Sequence, residues 1–195
     1  MQKDEVLRHF RETGALLEGH FLLSSGLHSP VYMQCARVLM YPDRAELLCR
    51  ALAHKLEERF GKGGFDLAVS PAMGGVVVGY EVARQLGVPS IFTERVDGRF
   101  QLRRGFTIPK GARIVMVEDV VTTGKSSREC IECAEEAGGK VVAAACLIDR
   151  SDGVVDLGVP LVPLAGYKVP AYPADQLPPE IARLPAVKPG SRGLA

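Results

Sequence analysis

The chain has 195 residues and a formal net charge of +1, with 24 Lys and Arg against 23 Asp and Glu. That length suits one domain with a sizeable core, and that charge balance argues against a protein held to nucleic acid by its basic surface. The opening Met-Gln-Lys-Asp-Glu-Val lacks the apolar run of a secretory signal, and no stretch approaches the ~18 apolar residues of a membrane span, so a cytoplasmic protein with no membrane partner is expected.

Val6, Leu7 and Phe10 share one face of a short first helix that stops at Gly14. Residues 16–39 hold short apolar pieces and turns, including Phe21-Leu-Leu-Ser-Ser-Gly-Leu-His-Ser-Pro-Val-Tyr32, and predict small antiparallel strands. Pro42-Asp43 opens a helix with Leu47, Leu48, Ala51, Leu52 and Leu56 on one face, and Gly61 follows its end. The pattern then becomes regular: a strand over 65–69, a helix over 76–86 closed by Gly87, a strand over 89–92, a strand over 114–117, a helix over 128–137 and a strand over 141–148. Strands alternating with helices predict a parallel α/β sheet. Eight of the 13 prolines fall between Pro160 and Pro189, which disfavours helices and predicts an extended C-terminal arm over the body. The single domain therefore divides into an N-terminal region (1–40), an α/β core (41–153) and a Pro-rich arm (154–195).

The five cysteines, at 35, 49, 130, 133 and 146, are an odd number spread over strands and helices and read as reduced thiols. Cys130-x-x-Cys133 has the spacing of half a zinc site or a redox pair, but no second such pair or His pair completes a tetrahedron. Buried helical cysteines are the expectation.

Residues 114–127 read Ile-Val-Met-Val-Glu-Asp-Val-Val-Thr-Thr-Gly-Lys-Ser-Ser, an apolar run that meets two carboxylates and then a hydroxyl-rich turn before a helix. The first N–H groups of that helix lack internal partners and carry the positive end of its dipole, so Thr122, Thr123, Gly124, Lys125 and Ser126 can wrap a phosphate. Glu118 and Asp119 would repel that phosphate, so they face ribose hydroxyls, a magnesium ion or a developing cation. A sugar phosphate fits both halves of the segment. A plain helix cap needs one Ser, Thr or Asp and no acidic pair; a nucleotide P-loop would need a glycine at Asp119.

Val-Met-Val-Glu-Asp-Val-Val-Thr-Thr-Gly-Lys-Ser-Ser resembles the phosphoribosyl-diphosphate (PRPP) motif of type I phosphoribosyltransferases. The resemblance implies that fold, a parallel sheet with a small N-terminal hood at 1–40. It also implies that Glu118 and Asp119 hold the ribose hydroxyls and act in catalysis, and that Val120 to Ser126 hold the 5′-phosphate. In parallel sheets ligands lie at the carboxyl ends of the strands, so the loops after residues 69, 92, 117 and 148 should meet. Ser70-Pro71-Ala72-Met73-Gly74-Gly75 has small residues that let amides approach an anion. It resembles the family's pyrophosphate loop, which implies PRPP contacts from Ala72, Met73 and Gly74 and a cis peptide bond without proline. The alternative is a glycine turn serving only strand-to-helix packing.

Residues 93–105 have little apolar content and four arginines, Arg95, Arg99, Arg103 and Arg104. A long loop in a compact domain is usually functional, and guanidinium forks suit pyrophosphate; a solvated charged hairpin is the other reading. In orotate phosphoribosyltransferases the matching loop closes over the active site, often that of the neighbouring subunit, and carries lysines and a histidine that this chain lacks. The resemblance makes Arg95 a PRPP ligand, Arg99 the favoured catalytic cation, and the protein a homodimer with loop 94–105 near the neighbouring site.

Leu-Ser-Ser-Gly-Leu-His-Ser-Pro-Val-Tyr within 21–32 resembles the hood of orotate phosphoribosyltransferases, and Ile148-Asp149-Arg150 resembles that family's Asp-Arg pair. The resemblance implies orotate contacts from Ser25, Gly26, Thr122 and Arg150, with PRPP and orotate as substrates. Magnesium (Mg2+) is expected as cofactor, reached through PRPP and water with no direct protein ligand. Taken alone, Ser25-Gly26 also fits a simple hairpin turn, and Arg150 a strand end. The match spans residues 5–153 but departs at Ser24 and at Met73-Gly74, where the family often has a lysine and a Tyr-Lys pair, implying a divergent branch. A purine or other nucleobase transferase and a non-catalytic PRPP-sensing regulator stay open beside the orotate reading.

Overall fold

In α1 (Lys3–Glu12) the residues spaced for one apolar face, Val6, Leu7 and Phe10, are buried, and Gly14 beyond the helix end takes φ 64°. The structure is a computed structural model and describes residues 1–23 and 26–188. β1 (Leu16–Leu22) and β2 (His28–Met33) pair antiparallel, Leu16 opposite Met33 and Leu22 opposite His28, giving the small hood hairpin. A short α2 (Ala36–Leu39), absent from the sequence reading, leads into α3 (Pro42–Phe60), where proline stands in the first turn and its missing N–H removes no helical bond. Leu48, Leu52 and Leu56 are fully buried, whereas Leu47, placed on the same face by spacing, lies at its edge and is 37% exposed.

The core alternates as expected: β3 (Leu67–Pro71), α4 (Gly74–Leu86), β4 (Ser90–Val96), β5 (Arg99–Leu102), β6 (Arg113–Val121), α5 (Lys125–Glu136), β7 (Lys140–Asp149) and β8 (Leu161–Gly166). The strand order is β5-β4-β3-β6-β7-β8, parallel except for the antiparallel edge strand β5. Period-two alternation sends the side chains of β6 to both faces. Val115 and Val117 join the core with α3 and α4 residues such as Leu48 and Val78, while Ile114 and Met116 pack with Cys130, Ile131 and Ala134 of α5. A sheet covered on both faces explains why these strands read as continuous apolar runs.

Two segments differ from the sequence reading. Residues 93–105, read as a long loop, largely form the β4–β5 hairpin, with Thr93 opposite Leu102 and Val96 opposite Arg99. Its tip is Asp97-Gly98, at φ 48° and 83°, the positive-φ pair a two-residue hairpin requires. Leu161–Gly166, inside the stretch read as an arm, is a sheet strand parallel to β7. Beyond it the chain lies along the hood: Tyr172 and His28 exchange backbone hydrogen bonds of 2.8 Å, and Leu22 N donates to Val187 O at 2.8 Å. α6 (Pro179–Ala182) is a single turn within this stretch. Ser24, Ser25 and residues 189–195 lie outside the described residues. Among the described residues no helix is long and apolar enough to cross a membrane.

Candidate active site

β6 does not end at Val117. Val120 and Val121 continue its ladder opposite Ile148 and Asp149 of β7, so the acidic pair lies inside the strand. The consequence is geometric, because adjacent strand residues point to opposite faces. The Ser127 hydroxyl of α5 donates to Glu118 Oε2 on one side. On the other side Asp119 approaches the start of α4 so closely that a Cβ at Gly74 would lie 2.9 Å from Asp119 Oδ1. Asp119 Oδ1 also accepts from the Val120 amide at 2.9 Å. Burial pushes the Glu118 carboxyl up to about 7, opposed by the Ser127 hydroxyl and reinforced by the neighbouring Asp119. Burial likewise raises Asp119, with backbone N–H groups opposing the shift.

The turn after β6 is shaped by Gly124 at φ 71°, where an added Cβ would stand 2.5 Å from Val155 Cγ2 and 2.7 Å from Leu157 Cδ2. Only glycine suits both the conformation and the space. α5 starts at Lys125, three residues before the predicted Arg128, and no side chain caps it from Gly124. Arg128 braces the turn by donating to Thr123 O at 3.0 Å and Asp156 O at 2.8 Å. Glu118, Val120 and Thr122 to Ser127 line a cleft of about 40 Å³ at this helix start. The first-turn amides and the dipole give it the polarity an anion would meet, and Thr122 and Thr123 are exposed beside it. A far larger groove, about 890 Å³ beside Arg50, His54 and Lys55, lies between α1, α3 and β8, away from the acidic pair.

The second loop crosses from β3 to α4 through a cis Ala72–Met73 peptide bond. The Ala72 amide donates to Thr93 O at 2.8 Å, and a Cβ at Gly75 would meet Pro71 Cδ and Val117 O at 3.0 Å. Glycine at 75 therefore lets α4 start directly above the sheet, and its N-terminal amides sit beside Asp119. Met73 is 83% exposed.

The arginines of the β4–β5 hairpin separate into two sets. Arg104 makes a forked pair with Glu94, at 3.1 and 2.8 Å. Arg95 pairs with Glu129 of α5, donates to Gly98 O at 2.6 Å and lies 4.2 Å from the Phe100 ring centroid. Arg99 and Arg103 are exposed; Arg103 lies within electrostatic reach of Glu94, and neither side chain makes a hydrogen bond or ion pair among the described residues. Sequence reasoning assigned Arg95 to PRPP without its partner Glu129, one α-helical turn beyond the phosphate turn.

After β7, buried Asp149 accepts from the amides of Ser151 at 2.7 Å and Gly153 at 3.1 Å, folding the turn that carries Arg150. The Arg150 amide donates to Val121 O at 2.8 Å, which ties this turn to the end of β6. The Arg150 guanidinium lies within electrostatic reach of Tyr32 and Cys35 beside the hood, and its buried Nε has no partner. Burial holds its pKa below the ordinary arginine value. The structure thus gathers Glu118, Asp119, Thr122 to Ser126 and Ala72 to Gly74, with Arg150 next to them. Gly26 is an exposed turn residue at φ 82° bonded to Leu23 O at 3.0 Å, and Ser25 falls outside the described residues.

All five cysteines are free, four of them buried and Cys133 partly so. Cys130 packs under the hairpin, where the Thr93 hydroxyl donates to its sulfur at 3.4 Å. Among the described residues no group of three or more His, Cys, Asp or Glu could hold a metal ion.

Residues 41–157 match the phosphoribosyl transferase domain family. The orotate phosphoribosyltransferase of Phenylobacterium zucineum is 61% identical over 194 residues, spanning 100% of this chain and 99% of its own. The chain belongs to the orotate phosphoribosyltransferase family. The Maricaulis maris member is 58% identical over 195 residues, with both chains covered in full. Among solved structures, the orotate phosphoribosyltransferase of Aeropyrum pernix is similar with a TM-score of 0.71 and 28% identity, over 83% of this chain and 93% of that one. An adenine phosphoribosyltransferase, 19% identical with a TM-score of 0.65, shares the fold. The cis bond at Ala72–Met73 lies in the loop where the resemblance implied one.

Proposed function

We propose that the chain transfers the ribose 5-phosphate group of PRPP to N1 of orotate, giving orotidine 5′-monophosphate and pyrophosphate in pyrimidine biosynthesis. The observation that carries this reading is the placement of Glu118 and Asp119 between a phosphate-shaped turn and the Ala72–Gly74 loop, with Arg150 beyond them. The turn from Thr122 to Ser126 binds the 5′-phosphate through amides and hydroxyls. Glu118 and Asp119 accept hydrogen bonds from the ribose hydroxyls. As the bond to pyrophosphate stretches, positive charge grows on the ribose and negative charge on the leaving group. The buried carboxylates stabilise the first, and the α4 amides, with Arg99 from the hairpin, stabilise the second. Arg150, with an unpartnered Nε, binds the orotate carboxylate and orients N1 toward the anomeric carbon.

Magnesium fits this donor set as an ion bound chiefly by PRPP oxygens and water, since the described residues offer one carboxylate pair beside the turn rather than a cage of ligands. When bound it would neutralise charge on the pyrophosphate. Incubation with PRPP, orotate and magnesium, followed by separation of products, tests the reaction: equimolar orotidine 5′-monophosphate and pyrophosphate are expected. Hydrolysis of PRPP without a nucleotide product would contradict it.

The hairpin is proposed to move onto bound PRPP, because the side chains of Arg99 and Arg103 make no hydrogen bond or ion pair among the described residues and Arg95 ties the hairpin to α5 through the partly exposed Glu129. PRPP with magnesium should therefore slow tryptic cleavage at Arg99, Arg103 and Arg104, read by mass spectrometry. Equal cleavage with and without ligand would remove the closing hairpin.

A cytoplasmic homodimer completes the proposal. Met73 just before α4, and Val77 and Tyr80 within it, recur at helical spacing and are at least half exposed, and exposed Met40 and Tyr41 stand at the α2–α3 junction. An apolar stripe of this kind is unusual on a monomer's surface. It starts at the pyrophosphate loop, so a second copy seated there would lie beside the site. Sedimentation should give twice the chain mass, and Tyr80→Glu should shift it toward the monomer. A monomeric parent protein would refute the assignment.

A further inference from the structure

Ser127 closes the motif at 114–127, yet the phosphate turn does not use it. It is fully buried, and its hydroxyl is spent on Glu118 Oε2 at the wall of the cleft that both residues help to line. Among the described residues it is the only recorded hydrogen-bond partner of the Glu118 carboxylate. We propose that Ser127 is a positioning residue for the reaction: it clamps one oxygen of Glu118 so that the other stays turned toward the ribose hydroxyls of PRPP. The inference rests on the transferase reading given above.

Three features make the contact more than packing. Ser127 lies on the first turn of α5, whose start is fixed by Gly124 and by Arg128 bridging Thr123 and Asp156. Phosphate binding by the same helix start and carboxylate orientation by Ser127 are therefore coupled through one rigid turn. Second, a hydroxyl has one proton, and donating it to Glu118 leaves none for a phosphate oxygen. The hydroxyls of this chain's motif would thus divide by task, those of Thr122, Thr123 and Ser126 serving the ligand and that of Ser127 the acid. Third, the groups facing Glu118 leave the hydroxyl as its main support. They are Asp119 on the same strand, Cys130 on α5 and Cys146 on β7, all anionic or neutral. Among the described residues no cation faces Glu118, so loss of the hydroxyl leaves a buried carboxylate without a donor, a state that favours its protonated form.

The sign follows. A donor to the ionised carboxylate favours ionisation, so Ser127→Ala should raise the pH at which Glu118 becomes charged. PRPP binding should then require more alkaline conditions.

The test compares the parent protein, Ser127→Ala, Ser127→Thr, Glu118→Gln and the double variant Glu118→Gln/Ser127→Ala. PRPP affinity is read by calorimetry, and kcat and KM for each substrate between pH 6 and 9, values chosen to bracket the titration of about 7. Ser127→Ala should raise the KM for PRPP about tenfold, the loss expected for one hydrogen bond to a charged group, while the KM for orotate stays within twofold. Its acidic limb should move to higher pH. Ser127→Thr keeps the hydroxyl and should restore the limb. In the Glu118→Gln background the same alanine change should cost much less, because no charge is left to hold. Equal losses in both backgrounds, or an unmoved acidic limb with Ser127→Ala folded, would overturn the proposal. An inactive parent protein would instead refute the transferase reading, and the calorimetric PRPP affinities would still decide the role of Ser127.

Discussion

Asp119→Asn is expected to lower turnover by about 10²-fold or more while the protein stays folded, the loss typical of removing one preorganised electrostatic contact to a transition state. Asparagine keeps the shape and can still accept a hydrogen bond, but it lacks the negative charge that faces the ribose as positive charge grows there. Stability should move the other way. Burial raises the Asp119 pKa in the folded protein, so the folded state disfavours the ionised form. That penalty is absent below the unfolded-state pKa and sets in as pH rises above it. Asparagine removes it, so the melting temperature at neutral pH should be unchanged or higher. Steady-state kinetics beside a thermal melt separate the two effects. An unchanged kcat would remove Asp119 from the transition state, whatever happened to stability.

The second large effect is expected at Arg150. Arg150→Ala should raise the KM for orotate by about 10²-fold, within the range for truncating one partner of a buried charge pair, and leave PRPP affinity nearly constant. The guanidinium is partly buried, its Nε has no protein partner, and its backbone rather than its side chain ties it to Val121. Its removal should therefore break no internal ion pair. Kinetics with each substrate varied in turn, and PRPP titrated by calorimetry, check this. Parallel losses for both substrates would mean that Arg150 supports the fold of the site instead of reading the base.

The sheet was legible because each buried strand is an apolar run and each helix carries its own stop, as with Gly61 and Gly87. The turn after the acidic pair was legible as a strand-to-helix junction because Glu118-Asp119 followed by Thr-Thr-Gly-Lys-Ser is a charge pattern with few structural uses. Other features were hidden for physical reasons. The end of β6 was misplaced because polar Glu118 and Asp119 look like a strand end, whereas pairing of Val120 and Val121 with β7 carries the strand through them. The β4–β5 hairpin carried a readable signal, Asp97-Gly98 between Val96 and Arg99, but the surrounding arginines masked it. β8 was obscured by Pro163 and by the prolines that follow. It is an edge strand, where a missing N–H can face away from the ladder. Ser127 stood in plain view within the motif, and only the packing of α5 against β6 shows its hydroxyl bonded to Glu118.

The most direct measurement offers the purified protein PRPP and magnesium with orotate, uracil, adenine, guanine, hypoxanthine and xanthine in turn, following absorbance. Consumption of orotate alone is the predicted result, because Arg150 is the cation proposed to recognise a carboxylate on the base. Turnover of a purine, or PRPP binding with no base consumed, would contradict the account.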